Sequence, residues 1–143
     1  MKALFFLMTF FFLSVAGISQ ARQVSAHNTT STRNTVPGKI QYGTASFYAD
    51  KFEGKKTANG EIFTQKGMTA AHNSLPLGTW IKVTNLSNHK SVIVKVNDRL
   101  HPKNPRLVDL SKTAAKQLGY TGHGLTKVRV DVLGKNQQLI AVN

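Results

Sequence analysis

Three stretches of this chain alternate residue by residue between apolar and polar side chains, and that period of two constrains its fold more than any other feature. The cleanest is 126–132, where Val128, Val130 and Val132 point one way and Lys127, Arg129 and Asp131 the other. Residues 79–85 (TWIKVTN) and 91–97 (SVIVKVN) repeat the pattern on either side of turn residues around Ser87 and Asn88. Alternation of this kind gives a strand one buried face and one wet face, and the second and third stretches predict a hairpin. Residues 43–49 (GTASFYA) predict a further strand. The strands are rich in β-branched side chains, which suit a pleated, half-buried surface. One helix is expected at 111–118: Ser111 is a good N-cap, Leu110, Ala114 and Leu118 share a face, and Gly119 suits the position that closes a helix. Short strands with one short helix indicate a small, mostly-β barrel.

The chain has 143 residues, enough for one domain, and no Cys. Disulfides, thiolate-bound metal centres, a lipidated Cys and a thiol nucleophile are all excluded, so stability must come from core packing. The first 18 residues hold one Lys followed by an uncharged, mostly apolar run with five of the eight Phe. Ser19-Gln20-Ala21 then offers small residues where a signal peptidase reads. This is the layout of a secretory signal peptide, with cleavage expected after Ala21; the alternative is an uncleaved N-terminal anchor, for which the run is short. Residues 22–42 are dominated by Ser, Thr and Asn without apolar periodicity and predict a disordered linker. The folded unit is expected over 43–133, with 134–143 as a short tail. Beyond residue 21 lie 18 of the 19 basic residues and all six acids, a formal +12. A basic exported protein favours an anionic partner such as cell-wall polymer, although scattered basic residues also suit a merely solvated surface.

With six carboxylates, each can be weighed. Asp50 and Glu53, among Lys51, Lys55 and Lys56, read as surface charges, and Asp131 as a cross-strand partner. Glu61 lies in a turn, Thr57-Ala58-Asn59-Gly60-Glu61, and Asp98 ends an alternating strand, where barrels carry sites. Asp109 precedes the helix and suits a capping role. His72 follows small apolar residues, a setting typical of a satisfied core histidine. No two histidines have metal-site spacing, no G-x-S-x-G elbow is present, and Gly119–Gly124 is not a phosphate cradle. No metal or cofactor is expected. A nucleic-acid platform would want aromatics interleaved with basic residues, and none is expected from so few Phe, Trp and Tyr after residue 21.

Taken in order, Gly43-Thr44-Ala45-Ser46-Phe47-Tyr48, Thr57-Ala58-Asn59-Gly60-Glu61, Thr69-Ala70-Ala71-His72, Leu75-Pro76-Leu77-Gly78-Thr79, Val96-Asn97-Asp98-Arg99 and Asp109-Leu110-Ser111 resemble the rare lipoprotein A family. The resemblance covers about 43–133. It implies a six-stranded double-psi β-barrel related to expansins, and a lytic transglycosylase acting on peptidoglycan glycan strands. It departs from the family pattern in having no lipobox Cys, and in carrying Leu100-His101-Pro102 where Gly-Pro usually follows the Asn-Asp-Arg run. On this reading Asp98 is the catalytic acid/base, Glu61 the second carboxylate, and His72 an orienting group. Tyr48, Thr57, Asn59, Arg99 and Asp109 are expected to contact substrate, with Asp109 the alternative acid. A periplasmic or secreted monomer without a stable membrane anchor is expected. The competing reading is an expansin-like module that binds cell-wall glycan without cutting it.

Overall fold

A computed structural model describes residues 38–135 of the chain. The expected signal peptide (1–21), most of the expected linker and the tail beyond 135 lie outside the described residues. Six strands and one α-helix follow in the order β1 (Ile40–Phe47), β2 (Thr69–Ala71), β3 (Trp80–Asn85), β4 (Ser91–Asp98), β5 (Val108–Leu110), α1 (Lys112–Leu118) and β6 (Thr126–Gly134), with a 3₁₀ turn at Asp50–Phe52. The strands close into a barrel in the spatial order β1-β5-β2-β4-β3-β6. Two neighbouring pairs, β1 with β5 and β2 with β4, are parallel and the others antiparallel. This is the mixed, closed double-psi β-barrel that the resemblance implied.

The alternation read from the sequence becomes the barrel interior. Ile81 and Val83 of β3, Val94 and Val96 of β4, and Val128 and Val130 of β6 are fully buried. Lys82 between the first pair is exposed. The hairpin is β3–β4, with Trp80 opposite Lys95 and Val83 opposite Val92. Strand β1 starts at Ile40, inside the stretch read as linker, because Ile40, Gln41 and Tyr42 pair with Asp131, Val130 and Arg129. The alternation here is reversed and so gave no signal: the apolar Ile40 and Tyr42 are exposed and the polar Gln41 between them is half-buried. Gly43 is required by proximity, since a Cβ there would lie 2.6 Å from the Leu107 Cβ.

Helix α1 packs against β4 and β1. Ser111 is its N-cap, accepting from the Ala114 N–H at 3.3 Å, and Gly119 ends it in the left-handed conformation at φ 74°. The side-chain amides of Asn85 and Asn88 both donate to the Leu118 carbonyl at 3.0 Å, so the β3–β4 hairpin satisfies the free C-terminal acceptor of the helix. Tyr120, just beyond, is buried and donates to the Ser46 carbonyl at 2.7 Å. These bonds tie the helix end to β1 and β3.

Candidate active site

Strand β4 delivers Asp98 to the end of the barrel, and three donors meet its carboxyl there. The Ala58 and Arg99 backbone N–H groups both donate to Oδ1 at 2.8 Å, and the Tyr48 hydroxyl donates to Oδ2 at 2.7 Å. Tyr48 follows β1, Ala58 sits in the 57–61 turn, and Arg99 is the next residue along. Two remote segments and the adjoining residue therefore fix one carboxyl, which a closed barrel permits. Burial, and then the Asp98 carboxylate beside it, push the Tyr48 phenol far above its ordinary range, so it stays a donor.

A groove of about 600 Å³ opens in front of this carboxyl. Tyr48, Asp98, Arg99 and Asp109 line it, together with Phe52, Arg106 and His101. Asp109 does not cap the helix, a role Ser111 fills. Its carboxylate is held by Arg106 in a two-pronged pair, Nε to Oδ1 at 2.7 Å and Nη2 to Oδ2 at 2.8 Å. A carboxylate gripped this way is a poor candidate for the proton-transferring acid.

Glu61, Asn59, Thr57 and His72 lie around this groove rather than lining it. Glu61 receives the Lys95 ammonium at 2.7 Å and the Asn97 side-chain amide at 3.0 Å. Those two hydrogen bonds, Lys95 first, hold its carboxyl below the usual carboxylate range. No hydrogen bond joins it to Asp98 among the described residues; the link is through the chain, since Asn97 precedes Asp98 and its carbonyl accepts from the Asn59 N–H at 3.1 Å. Thr57 is buried, not free for a sugar, and donates to the Asn59 side-chain oxygen at 2.7 Å. That oxygen also accepts from the Glu61 N–H at 3.1 Å. Thr57 and Asn59 thus build the turn that aims the Ala58 N–H at Asp98, and Asn59 itself is exposed.

The His72 ring is buried, and both nitrogens are engaged away from Asp98 and Glu61. Nδ1 accepts from the Ser74 N–H at 3.2 Å, which leaves the proton on Nε2, and Nε2 donates to the Gln41 side-chain oxygen at 3.0 Å. Burial, helped by the cationic Arg99 and Lys39, lowers its pKa to about 4. The orienting contact expected from the ring is made by the main chain. The His72 N–H donates to the Asp98 carbonyl at 3.1 Å, and the His72 carbonyl accepts from Arg99 Nη1 at 2.6 Å. Arg99 therefore braces the frame as well as lining the groove. Among the described residues no three His, Asp or Glu side chains gather as a metal site would need.

Sequence reasoning missed Asn97, Arg106 and the aromatic run behind Tyr48. Its ring stacks on Phe63 at 4.3 Å between centroids and meets the Phe52 edge at 5.6 Å. The spacing of Arg106 and Asp109, three residues apart, was a visible signal. The position of Phe52 was not, because it depends on how the 48–56 loop folds back.

A family described as "Lytic transglycolase" matches residues 40–130. The endolytic peptidoglycan transglycosylase RlpA of Pseudomonas aeruginosa is 48% identical over 118 residues, 73% of this chain and 35% of that protein. The protein of the same name from Campylobacter jejuni is 48% identical over 97 residues, 68% of this chain and 35% of its own. A probable endolytic peptidoglycan transglycosylase RlpA from Synechocystis is 42% identical over 119 residues, covering 83% and 37%. The chain thus spans about a third of the length of these relatives. Among solved structures, the Streptomyces papain inhibitor superposes with a TM-score of 0.56 at 19% identity, over 68% of this chain and 96% of that one. An expansin from Clavibacter michiganensis gives 0.53 at 21% identity, over 68% and 52%. At such identities these two speak for the fold alone. With the barrel, the order of its motifs and these relatives in agreement, the chain belongs to the rare lipoprotein A family of double-psi β-barrels.

Proposed function

We propose that the chain is an exported lytic transglycosylase that cuts the MurNAc–GlcNAc bond of peptidoglycan glycan strands and leaves 1,6-anhydro-muramyl ends. The observation that carries this is Asp98: one carboxyl, fixed by three donors, facing a groove of about 600 Å³. The names of the relatives support it. Asp98 gives its proton to the glycosidic oxygen as the bond to the muramyl C1 breaks and the ring gains oxocarbenium character. The carboxylate left behind takes the proton of the muramyl C6 hydroxyl, whose oxygen bonds to C1. The proton count is conserved and no water is consumed.

Glu61 acts as a fixed anion on the Asn97 side of this centre, favouring the positive charge that develops on the sugar. His72 is a positioning residue whose main chain holds Asp98 and Arg99 in register. Tyr48 holds the carboxyl and offers a ring edge to the sugar, and Arg99 and Asp109 line the path. The leader at 1–21 sends the protein to the periplasm or beyond, where it works as a monomer without a membrane anchor. Mass spectrometry of purified glycan strands after digestion tests the reading. Products with 1,6-anhydro ends are expected; strands that are bound but left whole would show an expansin-like binder instead.

A further inference from the structure

Strand β1 ends one residue short of the site. Its last paired residue is Phe47, opposite Leu110, yet Tyr48 is the residue whose hydroxyl holds Asp98. In a parallel ladder, a residue that donates to one partner carbonyl accepts at its own carbonyl from the N–H two residues further along that partner. Tyr48 makes the first of these bonds, its N–H donating to the Leu110 carbonyl at 3.0 Å. The second would come from Lys112. But Lys112 is the first residue of helix α1, and its N–H donates to Gln65 Oε1 at 2.8 Å. Gln65 Nε2 in turn donates to the Tyr48 carbonyl at 2.8 Å. The Gln65 side-chain amide is thus inserted into the ladder, accepting where a peptide carbonyl would and donating where a peptide N–H would.

The two neighbours demand opposite things. The Lys112 N–H needs an acceptor and the Tyr48 carbonyl a donor, which fixes the orientation of the amide. A carboxylate in its place could only accept, and a thioether offers no donor. Gln65 is itself fastened at the main chain: its N–H donates to the Glu53 carboxylate at 2.7 Å, and its carbonyl accepts from the Thr113 N–H at 3.2 Å. Nε2 also lies 3.3 Å from Asp50 Oδ1, which the Lys112 ammonium holds at 3.1 Å. One residue therefore joins the end of β1, the 3₁₀ turn and the first turn of α1.

We propose that Gln65 is a positioning residue for the proton transfer: by carrying the β1–β5 ladder past Phe47 to Tyr48, it seats the phenol that holds the Asp98 carboxyl. The inference rests on the transglycosylase reading above. Gln65 does not line the groove. It acts through the main chain of Tyr48, and the Tyr48 hydroxyl passes that placement to Asp98.

Two variants test it on glycan strands. Gln65→Glu keeps an acceptor for Lys112 and leaves the Tyr48 carbonyl without its donor; Gln65→Met removes both bonds and adds no charge. Each should lower turnover per folded molecule as far as Tyr48→Phe does, about tenfold, with KM unchanged. In a Tyr48→Phe background neither should lower it further by more than about twofold, because both changes act on one hydrogen bond. A role confined to folding requires a lower melting temperature with turnover per folded molecule intact, and independent roles require losses that multiply; either result would overturn the proposal. The Tyr48 Cζ resonance, followed by carbon NMR, tests the seat without substrate. In Gln65→Met it should move toward its position in Asp98→Ala, where the hydroxyl has lost its partner. A resonance that stays at the parent position overturns the proposal whether or not strands are cut. A resonance that moves, in a protein that cuts no strand, keeps Gln65 as the seat of Tyr48 and removes the transglycosylase.

Discussion

Of the three donors to the Asp98 carboxyl only the Tyr48 hydroxyl is a side chain, so substitution can isolate the carboxyl itself and that one bond. Asp98→Asn keeps the shape but cannot exchange a proton as a carboxyl does. General acid–base catalysis is typically worth 10²–10⁴-fold, so turnover should fall by about that much while glycan affinity, read by calorimetry, stays. Tyr48→Phe removes only the 2.7 Å donor to Oδ2. Loss of one hydrogen bond to a charged group, about 1.5 kcal/mol, should lower turnover about tenfold with KM little changed. His72 belongs to a different kind of experiment. Its pKa falls from 6.5 in the unfolded chain to about 4 in the fold, so the unfolded state binds more protons between those values. Stability should therefore be fully present above about pH 6.5 and decline as pH drops toward 4, by up to about 3 kcal/mol. Denaturation at a series of pH values checks the slope. Nitrogen NMR should show the neutral Nε2–H tautomer persisting to about pH 5, and a ring that titrates near 6.5 would contradict the burial argument.

The elements differ in how openly the sequence announced them. Helix α1 was legible because its ends carry their own chemistry: Ser111 bonds the first turn, and Gly119 adopts φ 74°, which other residues avoid. Strands β3, β4 and β6 were legible because six to nine residues are enough to display a period of two. Strands β2 and β5 have three residues each and display no period. Asp109, read as a helix approach, is instead the middle of β5, where pairing with Ser46 and Ala71 places it in the groove. The site was legible in part for the same reason. Asp98 ends a long strand and could be picked out, whereas the parts played by Thr57, Asn59 and the His72 ring depend on how loops close. Gly119→Ala tests the helix end: it strains a left-handed position and brings a Cβ to 2.9 Å from the Asn88 amide that bonds Leu118. A loss of about 1–2 kcal/mol is expected by denaturant titration, without change in turnover per folded molecule.

At the scale of the whole molecule, barrel closure does what no single segment can. The order β1-β5-β2-β4-β3-β6 sets strands distant in sequence side by side, and local periodicity carries no information about that order. The ordered set of short motifs supplied it, through resemblance to a family. Charge acts on the same scale. The formal +12 beyond residue 21 should draw the protein to the anionic wall, so its retention on purified sacculi should weaken steeply as salt rises past 0.1 M, where screening sets in at about 10 Å. Retention indifferent to salt would mean that sugar contacts alone hold it. The central claim is that Asp98, seated by Tyr48, Ala58 and Arg99, passes a proton from the C6 hydroxyl side of a muramyl sugar to the departing oxygen without water. Digestion of glycan strands in ¹⁸O-enriched water, compared between the parent protein and Asp98→Asn, measures this directly. The account requires unlabelled anhydro ends from the parent and almost none from the variant; labelled reducing ends, or anhydro ends formed at the parent rate by the variant, would contradict it.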